Sequence, residues 1–292
     1  MSVQVEHPRG RAQPQVWAPE TPPIDLIALL KQKNPALHAK LNKPTIGLLR
    51  WLACETRLNR ELMAMPPMPA DEFPGWVLEQ VGVSTSFHGA KNLPMPGDRP
   101  VFVANHPTGG LDGLVLLHEL LGIYPLVRVV VTDLLMTLPP MRPFLLPVDR
   151  YQSSRSSVRR LHHAFAGDDP LLIFPAGRTA RRQNGRLTDF PWHPMPVTLG
   201  CRYNRPLVPL HIQADNSWRF HALAALRQRL GIGLNLEMLL LVRELLSPAT
   251  KHYRVLAGSV LSPEILKASA ESDPGRMAWV RRQHNQLQEH IE

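Results

Sequence analysis

The sequence predicts an α/β fold in which a mostly parallel sheet is flanked by helices, with a small N-terminal helical subdomain. Two observations carry this prediction. From residue 99 onward, short apolar runs lack polar alternation, which is typical of strands buried on both faces of a parallel sheet. These runs alternate with segments of helical periodicity, and such alternation favours a largely parallel sheet.

The regions of the chain differ in composition and periodicity. Residues 1–23 are rich in Pro and Gln and are predicted to form a flexible tail. Apolar residues at helical spacing predict a helical subdomain over 24–83, whose apolar faces pack on the main domain or, as the alternative, lie on a membrane. The α/β domain is predicted over 84–268, and a polar C-terminal helix over 269–292.

Within the α/β domain, helices are predicted over 111–121 and 156–166, and the second is expected to stop at Gly167. A later apolar pair predicts a helix over 239–246 and an edge strand over 255–261. Five apolar runs predict buried strands, over residues 101–104, 127–131, 145–148, 171–174 and 207–212.

Composition limits the classes of protein to consider. The chain has 292 residues, of which 44% are hydrophobic and 20% charged, as in globular proteins rather than disordered chains or coiled-coil rods. Cys54 and Cys201 match no metal or redox spacing and favour a reducing cytosol. The N-terminus lacks the apolar region of a secretory signal, and no uncharged apolar run reaches the ~18 residues of a membrane-spanning helix.

The net charge of +9 indicates an anionic partner, such as nucleic acid, an anionic membrane or a phosphorylated substrate. Residues 150–186 hold eight arginines against two acids, Asp168 and Asp169, so the positive charge is concentrated there. A non-enzymatic nucleic-acid-binding protein is one alternative. Aromatic residues make up only 6% of the chain and form no stacking platform between these arginines, which argues against it.

The segment ANHPTGGLDG, residues 104–113, lies where a predicted strand ends and a helix begins. Ligands bind at such ends in open α/β sheets. His106 suits a general base there, because imidazole changes its protonation near neutral pH. Asp112 would fix its tautomer, and Gly109 and Gly110 would let the chain turn back. The alternative is a tight loop in which Asp112 only begins the helix.

Three further segments follow or form predicted strands. PVDR, residues 147–150, ends in Arg150, whose planar guanidinium suits phosphate or carboxylate. FPAGR, residues 174–178, contains a glycine that allows close backbone approach to a ligand. LVPL, residues 207–210, contains a proline that suits an edge strand or a bulge. Taken singly, each segment is also compatible with a surface ion pair, a turn or an ordinary strand.

Together the four segments resemble the lysophosphatidate (glycerophospholipid) acyltransferase superfamily, whose members share a His-x4-Asp block, an arginine block, a Phe-Pro-Glu-Gly block and a Val-Pro block. The resemblance covers residues 82–265 and looks closest to the hemolysin-like branch, which has the forms Asn-His-Pro-x-Gly-Gly-Leu-Asp-Gly and Phe-Pro-Ala-Gly. Supporting matches are Asp189 with Trp192, Asn216-Ser217 and Arg243-Glu244-Leu245.

The resemblance implies a glycerolipid-acyltransferase-like fold and a membrane-associated O-acyltransferase of phospholipid or membrane lipid biosynthesis. Such an enzyme moves a fatty acyl group from acyl-CoA or acyl carrier protein to the hydroxyl of a lysolipid of the lysophosphatidate type. His106 would deprotonate that hydroxyl, and Asp112 would hold the imidazole. The implied substrate-binding residues are Asn105, Thr108, Gly110, Arg150, Pro175, Gly177, Arg178 and Pro209.

The same resemblance implies an anionic membrane surface as a partner, with the enzyme peripheral on the cytoplasmic, inner face of the membrane. Nucleic acid, a metal ion and a cofactor beyond the thioester co-substrate are not expected. Backbone N–H groups at the helix start after Gly110 would stabilise the oxyanion. Arg150 and Arg178 would hold an anionic head group or the phosphates of the donor.

Two departures from the family pattern bear on the His-Asp geometry and on the acceptor. The spacing from His106 to Asp112 is one residue longer than the family norm, so the Gly-Gly loop must bring the pair together. Ala176 replaces the glutamate of the third block, and Arg178 follows glycine directly. The change in the third block weakens the case for glycerol-phosphate recognition and leaves a lyso-aminolipid such as lyso-ornithine lipid as an alternative acceptor. A hydrolase or thioesterase, with water as acceptor, is a further alternative.

Overall fold

The structure is a computed structural model that describes residues 24–33, 35–131, 138–148, 155–183, 185–231 and 236–289. Its helices are α1 (Leu26–Lys33), α2 (Pro35–His38), α3 (Lys43–Leu52), α4 (Glu55–Met63), α5 (Phe73–Gln80), α6 (Gly110–Leu121), α7 (Arg155–Ala166), α8 (Met195–Arg202), α9 (Trp218–Arg229), α10 (Leu241–Leu246), α11 (Pro263–Ser269) and α12 (Asp273–Glu289). Its strands are β1 (Ser84–His88), β2 (Val101–Ala104), β3 (Arg128–Val131), β4 (Leu145–Pro147), β5 (Leu171–Ile173), β6 (Arg181–Gln183), β7 (Arg186–Thr188), β8 (Leu207–Gln213) and β9 (His252–Ala257).

Seven of these strands form one sheet in the order β1-β9-β8-β2-β5-β3-β4, and β6 and β7 form a separate antiparallel pair. Strands β8, β2, β5, β3 and β4 run parallel to one another. Strand β9 is antiparallel to β8 and parallel to β1. The mostly parallel sheet is therefore confirmed, and the segments that follow β2, β5 and β8 meet at one edge of it.

Two apolar clusters cover the two faces of this sheet. On β2, Phe102 and Ala104 belong to the first cluster, whereas Val101 and Val103 belong to the second, as the alternation of a strand requires. The first cluster includes the apolar side chains of α6, and the second includes those of α8 and α12. Helices thus flank both faces, which explains why the strand residues are apolar without alternation.

The predicted strands over 101–104, 127–131, 145–148, 171–174 and 207–212 and helices over 111–121 and 156–166 are all present, with shifts of a few residues at their ends. The predicted helix over 239–246 is observed as a 3₁₀-helix, Leu236–Leu240, followed by α10. The strand predicted over 255–261 is present as β9, displaced to His252–Ala257. Its predicted position at the edge is wrong, because β9 lies between β1 and β8. Strand β1 escaped prediction because its residues, STSFH, form no apolar run.

The prediction that Pro209 marks an edge strand or a bulge is also wrong. Strand β8 lies inside the sheet, and Pro209 is paired with Val103 of β2. The carbonyl of Pro209 accepts a hydrogen bond from the N–H of Gly258, just beyond the end of β9. Because the N–H and C=O of one strand residue point to the same side, the missing N–H faces the place where β9 ends. A proline is therefore tolerated within an inner strand.

The helices before the sheet divide into a buried and an exposed part. Leu62 of α4 and Phe73 and Leu78 of α5 are buried in the first apolar cluster. Helix α3 contributes no buried residue, and Trp51 is 63% exposed. The predicted packing on the main domain is thus confirmed for α4 and α5. No helix among the described residues combines the length and apolar character needed to cross a membrane.

The helix predicted at the C-terminus is present as α12, but its polar composition conceals a buried stripe. Met277, Val280 and His284 lie on one face and are buried, and the first two belong to the second apolar cluster. Their spacing of three and four residues is that of one helix face. Helix α12 therefore packs on the sheet beside β8.

Candidate active site

The loop between β2 and α6 carries the His-Asp segment and turns at Gly109. Gly109 has φ +89° and ψ −117°, a conformation that L side chains rarely adopt. A Cβ atom there would also lie 3.2 Å from a side-chain carbon of Leu241. Glycine at this position lets helix α6 begin at once, with Asp112 in its first turn. The Gly-Gly loop thus compensates for the extra residue between His106 and Asp112.

The structure brings His106 and Asp112 together as predicted. Nδ1 of His106 lies 3.0 Å from Oδ2 of Asp112, a hydrogen-bond length with a direction that departs from the ideal. The Asp112 side chain is fully buried, whereas that of His106 is 20% exposed. The imidazole is therefore held from inside the protein and accessible from outside. This arrangement suits a base that receives a proton from a bound substrate.

Asp112 is fixed by the backbone of the loop that it closes. Its Oδ2 accepts hydrogen bonds from the N–H groups of Thr108 and Gly109, both at 2.9 Å. Its Oδ1 accepts from the hydroxyl of Thr108, which in turn accepts from the Tyr253 hydroxyl at 3.1 Å. Burial raises the pKa of Tyr253, so this phenol remains a donor. These donors and the N-terminus of α6 stabilise the negative charge of the carboxylate.

The peptide groups next to His106 are held by residues from three distant segments. The N–H of His106 donates to Oδ1 of Asp189 at 3.2 Å, and its carbonyl accepts from the N–H of Ala180 at 2.7 Å. The amide of Asn216 donates to the carbonyl of Pro107 at 3.4 Å. Burial raises the pKa of Asp189, and hydrogen bonds from Trp192 and His106 oppose that rise. The loop is therefore rigid where the imidazole is attached.

Asn105 joins this loop to the neighbouring strand. Its Oδ1 accepts from the N–H of Ile212 at 2.7 Å, and its Nδ2 donates to the carbonyl of Ile212 at 2.9 Å. The side chain thereby continues the pairing of β2 with β8 past the end of β2. Like Thr108, Asn105 uses its polar atoms to hold the loop, and a contact of either side chain with substrate stays a prediction.

The segment that follows β5 forms the other wall of the site. The Phe174 ring stacks on the His106 imidazole, with 4.3 Å between ring centroids. Pro175 is buried, and its carbonyl accepts from the N–H of His193. Gly177 has φ +56°. Arg178 is exposed, with its guanidinium carbon 5.3 Å from the centre of the Phe190 ring. FPAGR thus places an aromatic ring on the imidazole and a cation at the surface.

The remaining predicted substrate-binding residues have different surroundings. Gly110 is exposed at the start of α6, and a Cβ atom there would meet nothing within 4 Å. Pro209 is buried inside the sheet, and its carbonyl accepts a hydrogen bond from the N–H of Gly258. Arg150 lies outside the described residues, and its predicted contact with an anionic group stays a prediction.

The arginines of the basic window are not all available to a partner. Arg181 is buried and forms an ion pair with Glu237 at 2.9 Å. A count of arginines along the sequence cannot distinguish such a buried arginine from one at the surface. Arg182 pairs with Asp215, and Arg160 donates to the carbonyl of Pro147. Within the described residues, no cluster of His, Cys, Asp and Glu side chains has the arrangement of a metal site.

Sequence reasoning missed several residues that position the site. Phe174 carries no sequence signal for stacking on an imidazole, and Tyr253 lies 145 positions from its partner Thr108. Asp189 and Asn216 were found only as matches to the family pattern, without a structural role. The structure gives both a role, because each bonds the backbone of the His106 loop.

Known proteins resemble this chain in sequence and in fold. The sequence profile of a family described as Acyltransferase matches residues 28–292. A lyso-glycine lipid O-acyltransferase from Phocaeicola vulgatus is 32% identical over 237 residues, which are 80% of this chain and 85% of that protein. A protein of the same name from Bacteroides thetaiotaomicron is 30% identical over 237 residues, covering 80% of this chain and 87% of that one.

A solved structure supports the fold independently. The crystal structure of a 1-acyl-sn-glycerophosphate acyltransferase from Thermotoga maritima superposes with a TM-score of 0.50 at 11% identity. The superposition covers 91% of this chain and 93% of that one. At this level of identity the likeness concerns the arrangement of strands and helices.

Proposed function

The chain belongs to the acyltransferase family, and from this premise we propose that it transfers a fatty acyl group from a thioester donor to the hydroxyl of a lyso-aminolipid. The observation that carries the proposal is the 3.0 Å contact between Nδ1 of His106 and the buried carboxylate of Asp112. A histidine held in this way is a general base with one ring nitrogen free for the substrate.

In the proposed reaction, Nε2 of His106 removes the proton of the acceptor hydroxyl while that oxygen attacks the thioester carbonyl carbon. The resulting imidazolium is stabilised by the carboxylate of Asp112. Collapse of the tetrahedral intermediate breaks the carbon–sulfur bond, and the leaving sulfur takes the proton from His106. The products are the ester and the free thiol, and the enzyme returns to its starting protonation state.

The N-terminus of α6 supplies a donor for the oxyanion of that intermediate. Thr108 and Gly109 already direct their N–H groups at Asp112. The N–H of Gly110 takes part in no hydrogen bond among the described residues, and the space beside this glycine is open. We therefore assign the oxyanion to the Gly110 N–H, where the helix N-terminus also favours negative charge.

Two features favour an aminolipid as the acceptor. The relatives that are 32% and 30% identical over most of this chain carry the name lyso-glycine lipid O-acyltransferase. The third sequence block has Ala176 in place of the family glutamate, and Ala176 is buried in the second apolar cluster, so it offers no polar group to a glycerol phosphate. As donors we propose acyl-CoA or acyl carrier protein, whose thioesters release a stable thiol.

We also propose that the protein binds the cytoplasmic face of the membrane, and an exposed apolar patch supports the membrane binding itself. Helices α3 and α9 both contact the 3₁₀-helix Leu236–Leu240. These three helices and Leu230, which directly follows α9, expose the apolar residues Leu48, Trp51, Leu226, Leu230 and Met238. Exposed Arg219 and Arg229 of α9 carry positive charge beside them. Apolar side chains flanked by arginines are the pattern of a protein surface that enters an anionic lipid interface.

The acceptor is tested by transfer of a labelled acyl group to lyso-glycine lipid, lyso-ornithine lipid and lysophosphatidate, with acyl-CoA and acyl carrier protein as separate donors. We expect labelled aminolipid with one or both donors and no labelled phosphatidate. Labelled phosphatidate alone would instead assign the enzyme to the synthesis of phospholipids. Labelled free fatty acid without any lipid product would identify a hydrolase and refute the proposed transfer.

Membrane binding is tested by co-sedimentation with vesicles that contain anionic phospholipid. Trp51→Ser together with Leu230→Ser should weaken binding at least about tenfold, because each large apolar side chain contributes about 1.5–3 kcal/mol on leaving water. The matched control replaces exposed Met95 and Ile265, which lie outside the patch, by serine. Equal binding by the two double variants would contradict the proposed surface.

A further inference from the structure

A cleft lies at the edge of the sheet, next to the backbone of the His106 loop. It has a volume of about 810 Å³, and its walls include Asn105, Pro107 and Asp189, which surround the main chain of His106. The cleft also reaches His211 of β8 and His284 of α12, which lie on the second face of the sheet. Helix α6, which carries Asp112, lies on the first face.

Three arginines line this cleft without a carboxylate partner. Arg186 and Arg254 are exposed and form no ion pair with the described residues, and Arg281 donates only to the main-chain carbonyl of Asp189, at 2.9 Å. The two carboxylates in the lining are engaged elsewhere. Asp189 accepts from Trp192 and from the His106 backbone, and Asp215 pairs with Arg182 and His221. The guanidinium groups are therefore available to an anion.

His211 and His284 add a hydrogen-bond acceptor to the arginine-rich lining of the cleft. Nδ1 of His284 faces Oδ1 of Asn285 at 3.2 Å, so His284 donates there and its Nε2 accepts from Nδ1 of His211 at 3.1 Å. Nε2 of His211 is consequently left as a bare acceptor. It is buried, has no hydrogen-bond partner in the described part of the chain, and belongs to a side chain that lines the cleft and is only 2% exposed.

We propose that this cleft binds the anionic group of one of the two substrates through Arg186, Arg254 and Arg281. Nε2 of His211 accepts a hydrogen bond from an adjacent N–H or O–H of the same ligand. The inference rests on the proposed acyl transfer. Both substrates offer this chemistry, because an acylated glycine has a carboxylate beside an amide N–H, and the phosphopantetheine of either donor has a phosphate near a hydroxyl. A buried acceptor without a donor is costly, and such a ligand would satisfy it.

The test is calorimetric binding of 4′-phosphopantetheine and of N-octanoylglycine to the full chain. Arg186→Gln with Arg254→Gln should weaken the binding of one probe at least about tenfold, the effect expected for lost hydrogen bonds to a charged group. His211→Leu should also weaken it, whereas His211→Gln, which keeps an acceptor, should retain most of the affinity. The control is Arg159→Gln with Arg282→Gln, which removes the same charge from exposed positions outside the lining.

The probe that loses affinity identifies which substrate occupies the cleft. Binding of neither probe to the wild-type protein, an unchanged affinity in the cleft variant, or an equal loss in the control would each overturn the proposal. Neither probe can undergo transfer, so His106→Ala should bind them as the wild type does. A wild-type protein that binds a probe through the cleft but transfers no acyl group would refute the proposed function and not the cleft.

Discussion

Two histidines at the same edge of the sheet are each paired with another side chain, and the two pairs differ in the partner and in burial. His106 is partly exposed and faces the carboxylate of Asp112 at 3.0 Å. His211 is buried and faces the imidazole of His284 at 3.1 Å. Position at a sheet edge is thus shared by both pairs, and only the partner and the surroundings distinguish their chemistry.

The partner decides which histidine can take a proton. Burial and the neighbouring ring lower the pKa of His211 to about 3, and burial lowers the pKa of His284 to about 4, so both rings are neutral at pH 7. A buried neutral ring resists the positive charge that proton removal from a hydroxyl would place on it. Asp112 offers His106 a compensating negative charge. These differences are the reason that we propose base catalysis for His106 and hydrogen bonding for His211.

The largest expected effect separates the pairs by activity. His106→Ala should lower kcat for acyl transfer by about 10²–10⁴-fold, the contribution typical of a general base. The fold should survive, because the imidazole is partly exposed and the loop is held through its backbone. The measurement is initial rate with saturating donor and acceptor, accompanied by circular dichroism.

The matched control is His163→Ala, since His163 is exposed on α7 and should tolerate replacement without loss of transfer. Wild-type turnover in His106→Ala would remove the distinction between the two pairs and with it the assigned base. If His106→Ala unfolds, the base is tested with His106→Gln instead. Glutamine keeps a polar side chain but cannot accept the proton, so this variant should be equally inactive.

The first pair was predictable from sequence because its parts are local. Strand, loop and helix follow one another within residues 101–121, and the glycines indicate the turn that joins His106 to Asp112. The parallel sheet was predictable for a similar reason, since apolar runs and helical periodicity are local patterns. The predicted positions of the central strands agree best with the structure, because burial on both faces requires an unbroken apolar run.

The second pair could not be predicted, because its members are 73 positions apart in the chain. His284 lies on a helix whose composition is polar, and the spacing of its buried residues does not specify that this face packs on β8. The same reason explains why the sequence did not predict the structural roles of Asp189 and Asn216, which are 83 and 109 positions from their partners. Contacts that join distant segments depend on the order of strands in the sheet, which local patterns do not specify.

A smaller effect distinguishes the pairs through stability. The pKa values of His211 and His284 in the folded protein lie below the ordinary value of 6.5, so below that pH the unfolded chain binds protons that the folded chain does not. Their contribution to the free energy of unfolding is therefore complete above pH 6.5 and is lost as the pH falls toward 4. Each histidine should account for about 1.4 kcal/mol per pH unit within that window.

His284→Gln tests this dependence, because it removes one of the two titrating rings. Urea denaturation at pH 7.5, 6.0 and 5.0 should show a shallower loss of unfolding free energy in the variant, by about 1.4 kcal/mol per pH unit below pH 6.5. The control, His163→Gln, replaces an exposed histidine and should follow the wild-type slope. Identical slopes in all three proteins would mean that the His211–His284 pair gains protons in the folded state, and the contrast with the His106–Asp112 pair would then disappear.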